Sequence, residues 1–273
     1  MVEWITEPLT YGFAIRGLLA GVLAAAACAA LSGFVVWRGM SFIGDAIAHS
    51  ILPGIVVAFV LGISLFIGAL VAACLTALGI GLLTRHKAIR EDTAIGVIFT
   101  GLFALGIALL SKLTSYKDLS HILFGNILGV GKTDVIVLLI IVVVVVLAVV
   151  AFYKELLVTS FDPGHSVAIG LSPELVRYGL LFLIAITVVA GIQSVGVVLV
   201  LALLITPAAT ASLVATKLSS VMVLSEVFAV ISSVVGFYAS YYLDIASGAS
   251  IVLVLSLFFI LVYIWNIVWS KSR

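Results

Sequence analysis

Apolar runs of about 20 residues recur along this chain of 273 residues, near 12–36, 42–62, 63–83, 93–111, 133–153, 175–193, 194–215, 219–242 and 249–269. A run of that length crosses the ~30 Å hydrocarbon core as an α-helix, and lipid offers no partner to backbone groups left outside a helix. The pattern predicts an all-α, polytopic transmembrane helical bundle of eight or nine spans, one domain over residues 1–273. The eight-or-nine alternative turns on 194–215, which Pro207 interrupts and which suits a broken or re-entrant element as well as a span. Charge is confined to the breaks. Arg38, the segment Thr84–Asp92, the long break from Lys154 to Arg177, Lys217, Lys271 and Arg273 fall on one side of the alternation. Lys112, Lys117 and Lys132 fall on the other, offset by Asp118, Asp134 and Asp244. The positive-inside rule then puts the carboxy terminus in the cytoplasm and, with nine spans, the amino terminus outside.

Composition narrows the classes further. Hydrophobic residues make up 64% and charged residues 9%, with a mean hydropathy of +1.43, whereas soluble domains carry about 25% charge. A net charge of +1 points to no acidic partner, and no basic stripe interleaved with aromatics points to nucleic acid. The start, Met1-Val-Glu-Trp-Ile-Thr-Glu-Pro8, is acidic and lacks the positive region of a cleavable signal, so the first run is expected to be retained. Cys28 and Cys74 have no ligand-like spacing and are read as small membrane-buried hydrophobes.

The second run contains Asp45-Ala-Ile-Ala-His49-Ser-Ile-Leu-Pro53-Gly54. A carboxylate or an imidazole in a bilayer costs a few kcal/mol, so such groups usually face a cavity and carry function. At i, i+4 they lie about 40° apart on one helix face. Pro53 has no N–H to give the His49 carbonyl, so one face offers imidazole, carboxylate and a backbone oxygen. That is a first-row divalent metal site in outline, with a buried Asp–His hydrogen bond that only packs helices as the alternative. His49 sits roughly 10 Å in from the inner end of its span. Pro53 is also expected to act as a pivot. Gln193 and Glu226 are weaker pathway candidates, each a polar group in an apolar run that neighbouring helices can equally satisfy.

Other motifs fail on inspection. Gly129-Val-Gly-Lys-Thr133 resembles the end of a phosphate loop, but counting back from Gly131 lands on Asn126 where glycine is required. This chain is not expected to bind ATP. His86, His121 and His165 fall in polar breaks and read as surface histidines, and no catalytic motif supports an enzyme. Within the long inner break, Asp162-Pro-Gly164 and Ser172-Pro173 are turn formers, and Ser166 to Gly170 reads as a short helix closed by Gly170. Such a helix suits docking onto another protein, or equally lying on the lipid surface.

The stretch Trp37-Arg-Gly-Met-Ser-Phe-Ile-Gly-Asp-Ala-Ile-Ala-His-Ser-Ile-Leu-Pro-Gly54 resembles the signature of the metal-type (zinc, manganese and iron) ABC importer permeases. Further blocks match in order: Glu91-Asp-Thr-Ala-Ile-Gly96, His121-Ile-Leu-Phe-Gly-Asn-Ile-Leu128, Ser160-Phe-Asp162 with Gly170-Leu171, Val195-Gly-Val-Val-Leu199 with Ile205-Thr-Pro-Ala-Ala-Thr-Ala211, and Ser247-Gly-Ala-Ser-Ile-Val-Leu253. The resemblance covers nearly the whole chain. It implies a multi-pass protein of a bacterial plasma membrane, working as a homodimer with two cytoplasmic ATP-binding subunits and an extracytoplasmic metal-binding protein. It assigns the metal path to Asp45 and His49, and ATPase coupling to Phe161, Asp162, Ala168, Gly170 and Leu171. ATP hydrolysis then belongs to a partner chain, and this chain holds no permanent cofactor. Leu-Pro-Gly54 and the Ile205–Ala211 block are similar to manganese-type members, which makes Mn2+ the expected cargo, with Zn2+ or Fe2+ as alternatives. An ion-coupled secondary transporter working without ATPases would need more intramembrane carboxylates than Asp45 and Glu226. A cargo-free assembly factor leaves the cost of Asp45 and His49 in lipid unexplained.

Overall fold

The computed structural model describes residues 6–85, 89–112 and 127–270. His86 and His121, like Lys87, Lys117, Asp118, Lys271 and Arg273, lie outside the described residues. The described chain is helical and contains no strand. Its helices are α1 (Gly12–Trp37), α2 (Ile43–Ser50), α3 (Leu52–Leu61), α4 (Leu65–Leu83), α5 (Glu91–Leu110), α6 (Lys132–Ala151), α7 (Tyr153–Phe161), α8 (Pro163–Ala168), α9 (Pro173–Val195), α10 (Val197–Ser212), α11 (Leu218–Leu243) and α12 (Ser247–Ser270).

Among the described residues eight spans are long and apolar enough to cross a membrane, α2 and α3 counting as one. The remaining apolar helix is α10, whose 16 residues extend only about 24 Å at 1.5 Å per residue. Its contacts settle what it does. Val195 and Leu199 lie against Gly248 at one end of the bundle, and Ser212 accepts a hydrogen bond from Trp37 Nε1 at the other, 3.0 Å long. The helix therefore runs from end to end, and Pro207 is accommodated inside it without a break. Gly33 packs on Leu218 and Met222, Gly17 on Phe237, and Gly236 on Ile251. These pairs make α1 antiparallel to α11 and α11 antiparallel to α12, so residues 12 and 270 stand at opposite ends.

Small residues set how closely the helices approach. α1 sits at the centre against α6, α9, α10 and α11, and its Ala20, Ala24, Ala25, Ala27 and Cys28 are fully buried. A membrane gives no hydrophobic reason for helices to associate, so close backbone approach and dispersion contacts do that work. The tightest crossing joins α3 to α4 at Gly54 and Gly68. A Cβ on either residue would run into the carbonyl oxygen of the other, so no larger side chain fits while the crossing stands. The Leu52–Leu61 half of the Asp45–His49 span is thereby clamped.

Candidate metal site

Asp45 opens the first turn of α2 and His49 closes its last. The His49 Nε2 and Asp45 Oδ1 atoms are 3.4 Å apart, and the two side chains are 36% and 43% exposed. The rest of the helix is enclosed: Ile43, Gly44, Ala46, Ile47, Ala48 and Ser50 are all buried. Gly44 shows how tightly, since a Cβ there would meet Leu201 at 2.9 Å and Leu204 at 3.0 Å, both on α10. On the open face, Phe99 and Phe103 of α5 flank the imidazole with ring centroids 5.8 and 5.3 Å away. An apolar aromatic wall thus stands beside the imidazole, whose Nε2 faces the Asp45 carboxylate.

Two donors do not complete a divalent coordination shell, which takes four to six ligands (roughly) for the first-row metals. No group of three or more His, Cys, Asp or Glu side chains placed to hold a metal occurs among the described residues. Among the described residues the site is therefore half-built, on a helix face that Phe99 and Phe103 cover only in part. Gln193 and Glu226 do not complete it. Glu226 lies on α11 within electrostatic reach of Cys28, and α11 packs on α1, α10 and α12. Gln193 is exposed near the opposite end of α9, where it lines a cavity of about 130 Å³ with Phe66, Thr133, Asp134 and Ser194.

The pivot has a definite place. α2 ends at Ile51, whose N–H reaches the Ile47 carbonyl at 3.2 Å, and α3 restarts with Pro53 in its first turn. Pro53 cannot donate back to His49, so the two halves of the span are joined by one hydrogen bond fewer. We expect Pro53→Ala to lower metal transport several-fold while leaving metal binding by the detergent-solubilised complex intact. Parent transport rates in that variant would make Pro53 a packing residue only.

The break from Lys154 to Arg177 folds as an ordered bracket. Asp162, read as part of a turn, instead caps α8: its Oδ1 accepts the His165 N–H at 2.8 Å, and Pro163 occupies the first turn. The helix thus begins three residues before the expected Ser166. It ends as expected at Gly170, whose φ of +84° allows the Leu171 N–H to reach the Ser166 carbonyl (2.9 Å) and the Gly170 N–H to reach Val167 (3.0 Å). Phe161, Val167, Ala168 and Ile169 are exposed, and Leu171 is half-buried. Among the described residues α8 packs chiefly on α7 and α9, so this apolar knob projects from the end of the bundle.

Polar contacts missed in the sequence hold the bracket. Arg38 donates from Nε to Ser160 Oγ (2.9 Å) and from Nη2 to Thr159 Oγ1 (3.1 Å). Burial lowers the Arg38 pKa from its ordinary value, Glu91 opposes that shift and Arg177 adds to it. Arg177 donates to the Thr84 and Gly81 carbonyls at 3.2 and 2.9 Å, and Arg85 pairs with Glu174 at 3.1 Å. The sequence signal was position, since Arg38 lies in the short break before the run that carries Asp45 and within the Trp37–Gly54 signature.

The family model described as the ABC 3 transport family matches residues 10–266. The chain belongs to that family. It is 43% identical to the manganese transport system membrane protein MntC of Halalkalibacterium halodurans, over 94% of this chain and 89% of that one. It is 40% identical to the chelated iron transport system membrane protein YfeD of Yersinia pestis, over 96% and 88%. Among solved structures, PsaBC from Streptococcus pneumoniae in complex with Fab superposes with a TM-score of 0.82 at 39% identity, covering 96% of this chain and 95% of that one. Family membership and eight long apolar helices make this chain a multi-pass membrane subunit of an ABC transporter.

Proposed function

We propose that this permease carries a divalent transition metal inward across a bacterial plasma membrane, driven by ATP hydrolysis in separate cytoplasmic subunits, with Mn2+ the favoured cargo and Zn2+ or Fe2+ the alternatives. The observation that carries the reading is the Asp45–His49 pair, set on the one open face of an otherwise buried helix. A half-built site facing outward calls for a second copy. In a two-fold dimer each pair either serves its own subunit or meets its mate to give two imidazoles and two carboxylates. The second arrangement supplies the ligand number that one chain lacks. An extracytoplasmic metal-binding protein delivers the ion, and the 154–174 loop, folded as α7, α8 and the turn that follows, meets the ATPases.

Sidedness follows from charge. Arg38, Arg85, Arg90, Lys154, Arg177 and Lys217 gather at the end of the bundle that carries α8, against Arg16, Lys112 and Lys132 at the other. The positive-inside rule favours placing the α8 end and the carboxy terminus in the cytoplasm. An imidazole and a carboxylate accept Mn, Fe and Zn alike, and intrinsic affinity alone would rank Zn above Mn. The manganese assignment rests on likeness to relatives named for manganese transport. In a strain lacking the gene, ATP-dependent accumulation of Mn2+ is expected to fall most when Mn2+, Zn2+ and Fe2+ are compared. Uptake that persists with the ATPases inactivated would replace this reading with an ion-coupled secondary transporter.

A further inference from the structure

We infer that Trp37 and Arg38 form the mechanical link between the ATPase-facing bracket and the metal helix, with Arg38 as the positioning residue; this rests on the reading above. Three elements converge on these two consecutive residues. Arg38 holds α7 through Thr159 and Ser160. The indole of Trp37 meets the Phe161 ring edge-on at 5.1 Å, and its N–H holds Ser212 at the end of α10. The third element is α2 itself, which starts at Ile43.

The hydroxyls on α7 are oriented for this role. Thr159 donates to the Glu155 carbonyl (2.7 Å) and Ser160 to the Leu156 carbonyl. Each hydroxyl has one hydrogen, and both are spent on the backbone, so the oxygens can only accept from Arg38. The guanidinium fork reaches both at once, a geometry that a lysine ammonium on a flexible stem does not reproduce.

The turn that follows has no slack. Gly39 takes a φ of +72°, which lets its own N–H reach Val36 (3.1 Å) and the Met40 N–H reach Val35 (3.0 Å). Met40 is 1% exposed, and the Ile43 N–H returns to the Met40 carbonyl at 2.9 Å. Asp45 follows two residues later. A displacement of α7 therefore reaches the first metal ligand through a hydrogen-bonded fork and a locked turn.

The test uses the full chain assembled with its ATPase subunits in proteoliposomes, with ATP hydrolysis and uptake of radiolabelled Mn2+ measured on the same vesicles. Arg38→Gln, and separately Thr159→Val combined with Ser160→Ala, are each expected to lower the metal imported per ATP by about tenfold while hydrolysis stays within about twofold of the parent. Combining all three changes adds little, because each variant removes the same contact. Arg38→Lys restores the ratio only in part. A purely structural role would instead lower hydrolysis and uptake together, and that result, like an unchanged ratio in both variants, overturns the link. Where Arg38→Gln fails to assemble, the hydroxyl variant decides alone. Uptake by the parent without ATP would sink the underlying reading. ATP-driven uptake that Asp45→Ala abolishes, alongside normal ratios in the link variants, would sink the link only.

Discussion

Alanine at Asp45 or at His49 is expected to abolish metal uptake while leaving the protein inserted in the membrane. Each change removes one half of the Asp45–His49 pair, which on the proposed reading is one of the chain's two donors, and in a shared two-fold site two donors at once. Loss of residues that merely orient ligands costs about 10–100-fold in metal affinity, so loss of a ligand should exceed that. Insertion should survive, because both side chains lie on the open face of α2 and the buried face is untouched. Radiolabelled Mn2+ uptake in cells, with the membrane fraction quantified by immunoblot, reads both halves of the result. Normal uptake in the two variants would remove Asp45 and His49 from the path.

Arginine at Ala168 is expected to uncouple ATP hydrolysis from transport. Ala168 is exposed on α8, in the apolar knob formed with Val167 and Ile169. A surface substitution of this kind changes folding stability by about 0.5 kcal/mol or less. In a docked interface the same side chain forces a bulky charge into an apolar contact. Uptake should drop to background with metal binding by the purified chain unchanged, and hydrolysis by the complex should cease to depend on cargo. Parent-like transport would move the docking site elsewhere, with the 84–92 segment next in line.

The helical bundle was legible in the sequence because the requirement behind it is local. Lipid satisfies no backbone group, so each apolar run must close its own hydrogen bonds as a helix, and the runs near 12–36 and 219–242 became α1 and α11 almost residue for residue. The Asp45–His49 pair was legible for a similar reason, since i, i+4 spacing fixes the shared face whatever surrounds the helix. Gly170 closes α8 as its residue type implies, whereas Asp162 caps the helix where the sequence implies a turn, because cap and turn use the same residue types.

The sequence by itself thus determined the helices, their alternation and the Asp45–His49 pairing on one helix face. Only the tertiary structure decided that α10 runs end to end despite its length, that Gly54 clamps on Gly68, that Gln193 and Glu226 stand apart from the metal pair, and that Arg38 reaches Thr159 and Ser160. These are pairings between helices remote in the chain. Small residues are so common in membrane helices that nothing local says which crossing is close, and a polar group in an apolar run carries no mark of the partner it will meet.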